Sequence, residues 1–172
     1  MKTRWGEKLD KANVLSEYPR PQLKRESYIN LNGVWQYAIT SADAVPEAMD
    51  GEIIVPFSPE CELSGVNRTV HPNESLWYTR HFDIQSGFNH GRILLHFGAV
   101  DQIATVYING CDAGSHVGGY TAFTIDITPY IRQENVITVK VRDFSDASYH
   151  SRGKQKTKRG GIWYTPQSGI WQ

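Results

Sequence analysis

Apolar and polar residues alternate along several short segments of this chain. In the segment 92–98, Ile93, Leu95 and Phe97 fall on one side of a strand, because successive side chains of a strand point to opposite faces. The segment 135–143 alternates in the same way and predicts a strand with one polar face. Short strands of this kind are typical of an all-β sandwich. The other strands that the pattern predicts are 34–39, 52–55, 76–84, 103–109 and 122–126.

Turn residues separate these strands. The segment 103–109 carries β-branched and aromatic side chains at neighbouring positions, which predicts a strand covered on both faces. Asn109 and Gly110 follow it, and both residue types tolerate positive φ, so we expect a tight hairpin turn there. Thr128 and Pro129 predict a single helical turn that opens with a Thr cap and a Pro in the first helical position.

Length and composition agree with one sandwich domain. The chain has 172 residues, of which 12% are aromatic, and a chain of this length can bury a sufficient core without metals or disulfides. Its 18 basic and 18 acidic residues cancel, so no overall field attracts nucleic acid or an anionic membrane. Cys61 and Cys111 show no metal-type spacing and predict two buried thiols in a reducing compartment. The His spacings predict no metal site, and no cofactor is expected.

Three segments lack a strand pattern. Residues 1–30 include Tyr18-Pro19-Arg20-Pro21, which excludes a helix and predicts an extended N-terminal arm over a sandwich domain formed by 31–172. The segments 57–75 and 144–161 have no hydrophobic period and predict long loops, where binding sites tend to lie. The first residues are polar and lack the apolar core of a secretory signal, so a cytoplasmic location is expected.

A series of motifs runs in a fixed order along nearly the whole chain. They are YPRPQLKRESYINLNGVWQYAI, LWYTRHFDI, HFGAVDQIATVYING, GGYTAFTIDIT, NVITVKV, RGKQ and WYTPQSGIWQ. This series resembles the amino-terminal sugar-side domain of glycoside hydrolase family 2, the family of the β-galactosidases, β-glucuronidases and β-mannosidases. The resemblance implies a jelly-roll β-sandwich, similar to galactose-binding domains. It also implies that an immunoglobulin-like sandwich and a TIM-barrel catalytic domain follow, and neither is present in this chain.

The resemblance implies one site residue. In β-galactosidase members an Asn placed like Asn73, just before the strand 76–84, reaches into the sugar pocket of the barrel. An amide can donate to one sugar hydroxyl and accept from another. An Asx turn that only satisfies the backbone is the alternative. His71, in the same loop, is a second candidate for substrate binding. An acidic residue that some members place before the Gly-Ile dipeptide has no counterpart in KTKRGGIWYTPQSGIWQ, so the identity of the sugar stays open.

Two tryptophans and a basic run complete the candidates. Trp77 and Trp163 could each stack on the face of a sugar ring, and packing in the core or between domains is the alternative for both. The run RGKQKTKR has five basic residues but no interleaved aromatic residues, which argues against nucleic-acid binding. We expect instead a mobile loop that becomes ordered against the catalytic domain.

No catalytic residue is predicted in this chain. Hydrolysis of a glycoside normally requires two carboxyl groups about 5 to 9.5 Å apart. The sequence offers Glu60 with Glu62 and Asp143 with Asp146, and all four are expected to be solvated surface carboxylates. The resemblance implies that the two catalytic Glu residues belong to the absent barrel.

The predicted function is therefore that of a non-catalytic domain of a family 2 β-glycosidase. Such a domain would brace the barrel and contribute the loop around Asn73 to the sugar pocket. Its expected partners are the carbohydrate substrate and its own missing catalytic domains, with a homo-oligomer possible in the full-length protein and neither nucleic acid nor membrane involved. An autonomous carbohydrate-binding module and a purely structural sandwich are the alternatives.

Overall fold

The computed structural model describes residues 2–20, 22–88 and 91–172. Within these residues the regular structure consists of ten β-strands and four short 3-10 helical turns. The helical turns are Gly6–Lys8, Glu62–Ser64, Thr128–Tyr130 and Ser145–Ala147. The strands are β1 (Gly33–Thr40), β2 (Gly51–Val55), β3 (Ser75–Asp83), β4 (Leu94–Phe97), β5 (Val100–Asp101), β6 (Ile103–Ile108), β7 (Cys111–Val117), β8 (Phe123–Asp126), β9 (Glu134–Arg142) and β10 (Gly169–Ile170).

The strands form a sandwich in which one sheet is much larger than the other layer. Six strands make an antiparallel sheet in the order β2-β1-β3-β9-β6-β7. The pairs β4-β8 and β5-β10 contribute buried residues to the same core as the large sheet. β3 and β9 are neighbours although far apart in sequence, which is typical of jelly-roll connections. The predicted all-β jelly-roll sandwich is confirmed.

The core follows the predicted alternation. On β9, Ile137, Val139 and Val141 are at most 1% exposed, while the residues between them remain half-buried. The apolar face predicted for β4 and the residue before it is also confirmed, since Ile93, Leu95 and Phe97 are at most 8% exposed. Burial of this kind contributes roughly 25 cal/mol per Å² of apolar surface and is the main stabilising term of the fold.

The strand β6 corrects one prediction. Ala104, Val106 and Ile108 are fully buried, but the alternate residues of β6 are only half-buried. On that second face Tyr107 stacks against Trp77 of the same sheet, with ring centroids 6.4 Å apart. The second face is therefore half-covered, by neighbouring side chains of the sheet. The prediction of a strand covered on both faces holds fully for one face and only in part for the other.

The turns confirm one prediction and correct another. Asn109 and Gly110 have φ values of 53° and 81°, so both adopt the positive φ that the β6-β7 hairpin requires. Thr128 lies inside its helical turn rather than capping it, and no side chain caps that turn. Its hydroxyl donates to Asp126 at 2.6 Å and accepts the N–H of Ile93 at 2.8 Å. Thr128 thus ties the turn to the start of β4.

The two cysteines are both free, and their predicted burial is wrong. Cys61 is half-buried and Cys111 is exposed, because Cys111 follows directly after the projecting hairpin turn. In the described part of the chain, no helix is long and apolar enough to cross a membrane.

In the segment predicted to be an arm, the described residues 2–20 and 22–30 contain one 3-10 turn and no strand. Val14 is its buried anchor at 3% exposure, whereas Trp5 is 69% exposed. Tyr18 and Tyr28 meet edge to face at 4.9 Å and hold the arm against itself. Pro21, part of the motif that predicts the arm, lies outside the described residues.

Candidate functional site

The end of one long loop and the start of another lie side by side at the same end of the large sheet. The first loop (56–74) ends where β3 begins, and the second loop (143–168) begins where β9 ends. β3 and β9 are antiparallel neighbours, and their register pairs Leu76 with Val141. The register therefore places the end of the first loop next to the start of the second loop.

The two loops enclose a groove of about 300 Å³. This volume lies at the lower end of the range of small-ligand sites, which usually begins near 300 Å³. The lining is mostly polar and includes hydroxyl, amide and guanidinium groups that can bond to sugar hydroxyls. The lining residues are Glu60, Asn67, Arg68, Thr69, Thr157, Arg159, Thr165 and Pro166.

Asn73 and His71 are both exposed and lie near the end of the first loop, just before β3. Among the described residues, the side chain of Asn73 makes no hydrogen bond, so the Asx-turn alternative for this residue is not realised. Its amide is free to donate and accept towards a ligand.

The last residues of the first loop, just before β3, are held in place by hydrogen bonds and an ion pair. The carboxylate of Glu74 accepts the backbone N–H of His71 at 2.9 Å and forms an ion pair with Arg68 at 2.5 Å. From the end of β9, the guanidinium of Arg142 donates to the carbonyl oxygen of Pro72 at 3.3 Å. These contacts flank Asn73 on both sides without using its side chain.

Trp77 is enclosed in the structure. It is 1% exposed, stacks on Tyr107 and has the ammonium group of Lys140 at 5.4 Å from its ring centroid. At 1% exposure, Trp77 has no free ring face on which a sugar could stack. The burial therefore corrects the interpretation of Trp77 as a sugar-stacking residue and favours the packing alternative.

Trp163 has a different position. It lies half-buried in the second loop, where its backbone pairs with Gly160. The ammonium group of Lys156 lies 4.9 Å from its ring centroid, a cation–π contact. One basic residue of the run 152–159 thus serves to fix the tryptophan within the loop.

The second loop is anchored by side-chain hydrogen bonds. The carboxylate of Asp146 accepts the N–H and the hydroxyl of Thr157 at 3.0 and 2.8 Å, and these bonds lower the pKa of Asp146. The amide of Gln155 donates to the Tyr120 hydroxyl at 2.9 Å and accepts the N–H of Gln167 at 2.5 Å. The basic run is therefore attached at several points along its length.

Two carboxyl groups, those of half-buried Glu60 and buried Asp143, join the two loops at the groove. Both oxygens of Glu60 accept backbone N–H groups, Oε1 from Val70 at 3.3 Å and Oε2 from Ser168 at 3.1 Å. The Ser168 hydroxyl lies 3.0 Å from Glu60 Oε1 and 2.9 Å from Asp143 Oδ2. Asp143 Oδ1 accepts the N–H of Ser145 at 2.6 Å. We call Glu60, Ser168 and Asp143 the clasp.

Burial dominates the electrostatics of the clasp. It raises the pKa of Glu60, although the hydrogen bonds from the backbone and from Ser168 oppose the shift. It also raises the pKa of Asp143, against the bonds from Ser145 and Ser168 and the charge of His150. A carboxyl group with such a shift is protonated at a higher pH than a solvated one.

Asp101 is another buried carboxyl group and lies on β5. It is 3% exposed, and its Oδ1 has no hydrogen-bond partner among the described residues. Burial, with the charge of Asp143, raises the pKa of Asp101 to about 7, and the amide of Gln155 opposes this in part. The backbone of Gly119 packs so closely on Asp101 that a Cβ at that position would overlap the carboxyl group.

These carboxyl groups were missed by the sequence analysis. Glu60 and Asp143 were expected to be solvated surface carboxylates. That prediction is wrong for Asp143, which is 3% exposed, and holds only in part for Glu60, which is half-buried, whereas Glu62 is exposed as expected. For Asp101, a charged residue inside the apolar run AVDQIA was the available signal. No cluster of three or more potential metal ligands occurs within the described ranges of the chain.

The comparisons with known proteins decide the family. The model of the family described as "Glycosyl hydrolases family 2, sugar binding domain" matches residues 65–166, more than half of the chain. The chain belongs to this family. Both groove-forming loops overlap the matched region of the family 2 domain, which also contains Asn73, Trp77 and Trp163.

Individual relatives agree. The β-galactosidase large subunit of Latilactobacillus sakei is 30% identical over 178 aligned positions, covering 79% of this chain and 28% of the relative. A β-galactosidase of Thermoanaerobacter pseudethanolicus is 43% identical over 68 residues, which are 38% of this chain and 9% of that protein. The solved β-glucuronidase of Lactobacillus rhamnosus superposes with a TM-score of 0.58 at 27% identity, covering 66% of this chain and 20% of that one. The family 2 domain thus spans less than a third of these relatives.

Proposed function

We propose that this chain is the non-catalytic, sugar-side domain of a family 2 β-glycosidase that cleaves β-galactosides or β-glucuronides. The names of its relatives support this substrate range, because they are β-galactosidases and β-glucuronidases. In this proposal the hydrolytic carboxyl groups belong to catalytic domains outside this chain. Both clasp carboxyl groups accept hydrogen bonds from loop backbone, and Asp143 is also buried, so they are poorly placed to attack or protonate a glycoside.

The exposed amide of Asn73 is the observation that carries the proposal. The loop around it is held by Glu74 and Arg142, while the amide itself bonds to nothing in the described chain. A polar group that is held in place but left unpaired is suited to bind a sugar hydroxyl when a second domain closes over it. His71, which is exposed beside it, is the second group proposed to face the pocket.

The bracing role is supported by apolar side chains on the second loop. Tyr149, Ile162 and Tyr164 are 94%, 65% and 68% exposed, which is unusual for residues of their size. Together with Trp163 they give the loop an apolar surface suited to pack against the proposed barrel. Cytoplasmic location and a homo-oligomer remain predictions.

The kinetic test replaces Asn73 in the complete glycosidase that carries this domain. We expect Asn73→Ala to lower kcat/KM by roughly tenfold, the equivalent of one lost sugar hydrogen bond of about 1.4 kcal/mol. The matched control is Asn13→Ala, which alters an exposed Asn of the arm. Assays with nitrophenyl β-galactoside and β-glucuronide would identify the sugar. Equal kcat/KM for both variants on the preferred substrate would refute the contribution of the first loop.

An autonomous carbohydrate-binding module is the second candidate, and the groove favours it. The groove is lined by groups that can bond to sugar hydroxyls and needs no second domain. Calorimetric titration of the 172-residue chain with galactose and with glucuronate would distinguish the two functions. Millimolar or tighter binding that Arg159→Ala abolishes would favour the module, and no binding would favour the dependent domain.

If the domain is a purely structural sandwich, a third pattern of results is expected. Trp163→Ala would then weaken the association of this chain with the catalytic domains, while Asn73→Ala would change neither association nor kcat/KM. Co-purification of the separately expressed parts measures the association.

A further inference from the structure

The hydroxyl of Ser168 lies within hydrogen-bond distance of two carboxyl groups but carries a single proton. Its distances to Glu60 Oε1 and Asp143 Oδ2 are 3.0 and 2.9 Å. A hydroxyl can donate to only one of two ionised carboxylates, and the second oxygen pair would then repel. The arrangement is satisfied when one carboxyl group carries a proton and donates it to the Ser168 oxygen.

The remaining contacts indicate which carboxyl group carries that proton. Both oxygens of Glu60 accept backbone N–H groups, from Val70 and from Ser168, which favours its ionised form. Asp143 Oδ1 accepts the N–H of Ser145, while among the described residues the one hydrogen-bond partner of Oδ2 is the Ser168 hydroxyl. A proton on Asp143 Oδ2 therefore conflicts with no other donor.

We propose that Asp143 is a positioning residue that stays protonated, donating through Ser168 to ionised Glu60, and so locks the second loop onto the first. The chain of bonds runs from Asp143 Oδ2–H to Ser168 Oγ, and from Ser168 Oγ–H to Glu60 Oε1. Ionisation of Asp143 removes the first bond and places two negative groups around one hydroxyl. The lock then opens as the pH rises.

The charges around the clasp are coupled. A charge on Asp143 opposes ionisation of Asp101, and by the same repulsion a charge on Asp101 would oppose ionisation of Asp143. His150 acts in the opposite direction, and the charge of Arg68 is matched by Glu74. The titratable and charged groups around the clasp include Asp101, His150, Tyr78, Tyr120, Arg68 and Arg159.

The proposal deepens the proposed function, because the locked first loop also carries Asn73. It concerns contacts inside this chain and can be measured without sugar. If the chain bound no sugar, the proposed lock could still be correct. If the lock were refuted, the proposed role of Asn73 could still be correct.

The test is amide hydrogen exchange of the 172-residue chain across pH, expressed as protection factors that remove the intrinsic pH dependence. The reporters are the N–H groups of Ser168 and Val70, which donate to Glu60. We expect their protection to fall by about tenfold as Asp143 ionises, since a bond to a charged group is lost or weakened. A ¹³C titration of the Asp143 carboxyl group gives the midpoint independently.

The Asp143→Asn variant keeps a hydrogen-bond donor at this position but cannot ionise. The Asn amide can donate from the Oδ2 position to Ser168 while its oxygen still accepts from Ser145. We therefore expect protection that is preserved and no longer depends on pH. Asp83→Asn, the same change at an exposed strand end, should keep the pH dependence of the unmodified chain.

Two results would overturn the proposal. One is a carboxyl titration of Asp143 in the unmodified chain that coincides with that of exposed Asp83, and this result requires no variant to fold. The other is an Asp143→Asn variant that is folded but has lost protection at Ser168 at acid pH, because a neutral donor would then have failed to replace the proposed one.

Discussion

The core of the large sheet consists of apolar side chains, whereas polar side chains hold the end of the sheet where the two loops meet. We call this second region the loop end. Around Ile137 and Val139 the contacts are apolar and non-directional, and burial alone stabilises them. At the groove, Asp143 and Ser168 are buried and Glu60 is half-buried, but their polar atoms require specific hydrogen-bond partners. The core therefore determines the stability of the sandwich, while the polar end determines where its two loops lie.

The largest effect should come from the core. Ile137 is fully buried on the central strand β9, so Ile137→Ala removes buried methyl groups and leaves a cavity. We expect the free energy of unfolding to fall by about 2–5 kcal/mol. Urea denaturation measures it, with Ile162→Ala as the control because Ile162 is 65% exposed. Similar losses in both variants would contradict the assignment of stability to the core.

The second predicted effect is a gain in the free energy of unfolding, and it depends on pH. The pKa of Asp101 is raised to about 7 in the folded chain, so folding favours its protonated form. The stability from that proton is present at pH 4 and is lost as the pH rises through 7. Asp101→Asn should therefore raise the free energy of unfolding by roughly 1–3 kcal/mol at pH 8 and change it little at pH 4.

The control for Asp101→Asn is Asp112→Asn, which changes an exposed carboxylate in β7. Urea denaturation at the two pH values provides the comparison. A loss of stability at pH 8 would show that the charge of Asp101 is compensated in the folded chain.

A smaller loss is expected from the clasp. Ser168→Ala removes the hydroxyl between Glu60 and buried Asp143, and leaving a buried carboxyl oxygen without its partner costs about 1–3 kcal/mol. The exposed Ser86 provides a matched control as Ser86→Ala, which should change the unfolding free energy by less than about 0.5 kcal/mol. Equal values for the two variants would mean that the clasp contributes nothing measurable.

The smallest effect on stability belongs to the residue proposed for function. Asn73 is exposed and its side chain makes no hydrogen bond within the described residues, so Asn73→Ala should alter stability by less than about 0.5 kcal/mol. Thermal unfolding monitored by circular dichroism measures it. A larger loss would reassign Asn73 to a structural role and weaken the interpretation of its kinetic effect.

The sequence predicted the apolar half of this comparison well. The alternation in β9 and the pair Asn109-Gly110 depend on neighbours in sequence, so a local pattern was sufficient for them. The loop end depends on contacts between distant residues. Ser168 meets Glu60 across 108 positions, and no local pattern indicates that pairing.

Trp77 and Trp163 show the same limit of prediction from sequence, although both are tryptophans. Both are tryptophans in matching motifs, yet Trp77 is enclosed against Tyr107 whereas Trp163 is half-buried in the second loop. Their difference arises from the sheet that surrounds one and the loop that carries the other. Sequence could therefore state the alternatives for each tryptophan but could not decide between them.

The most direct test of the central claim is hydrogen exchange of the complete glycosidase with and without saturating galactose or glucuronate. If the loop end faces the sugar, peptides covering 67–74 should become protected, while those covering the distant β6-β7 hairpin turn at Asn109 and Gly110 should not change. Unchanged exchange in 67–74, with protection confined to the catalytic domains, would contradict a contribution of this domain to the sugar pocket.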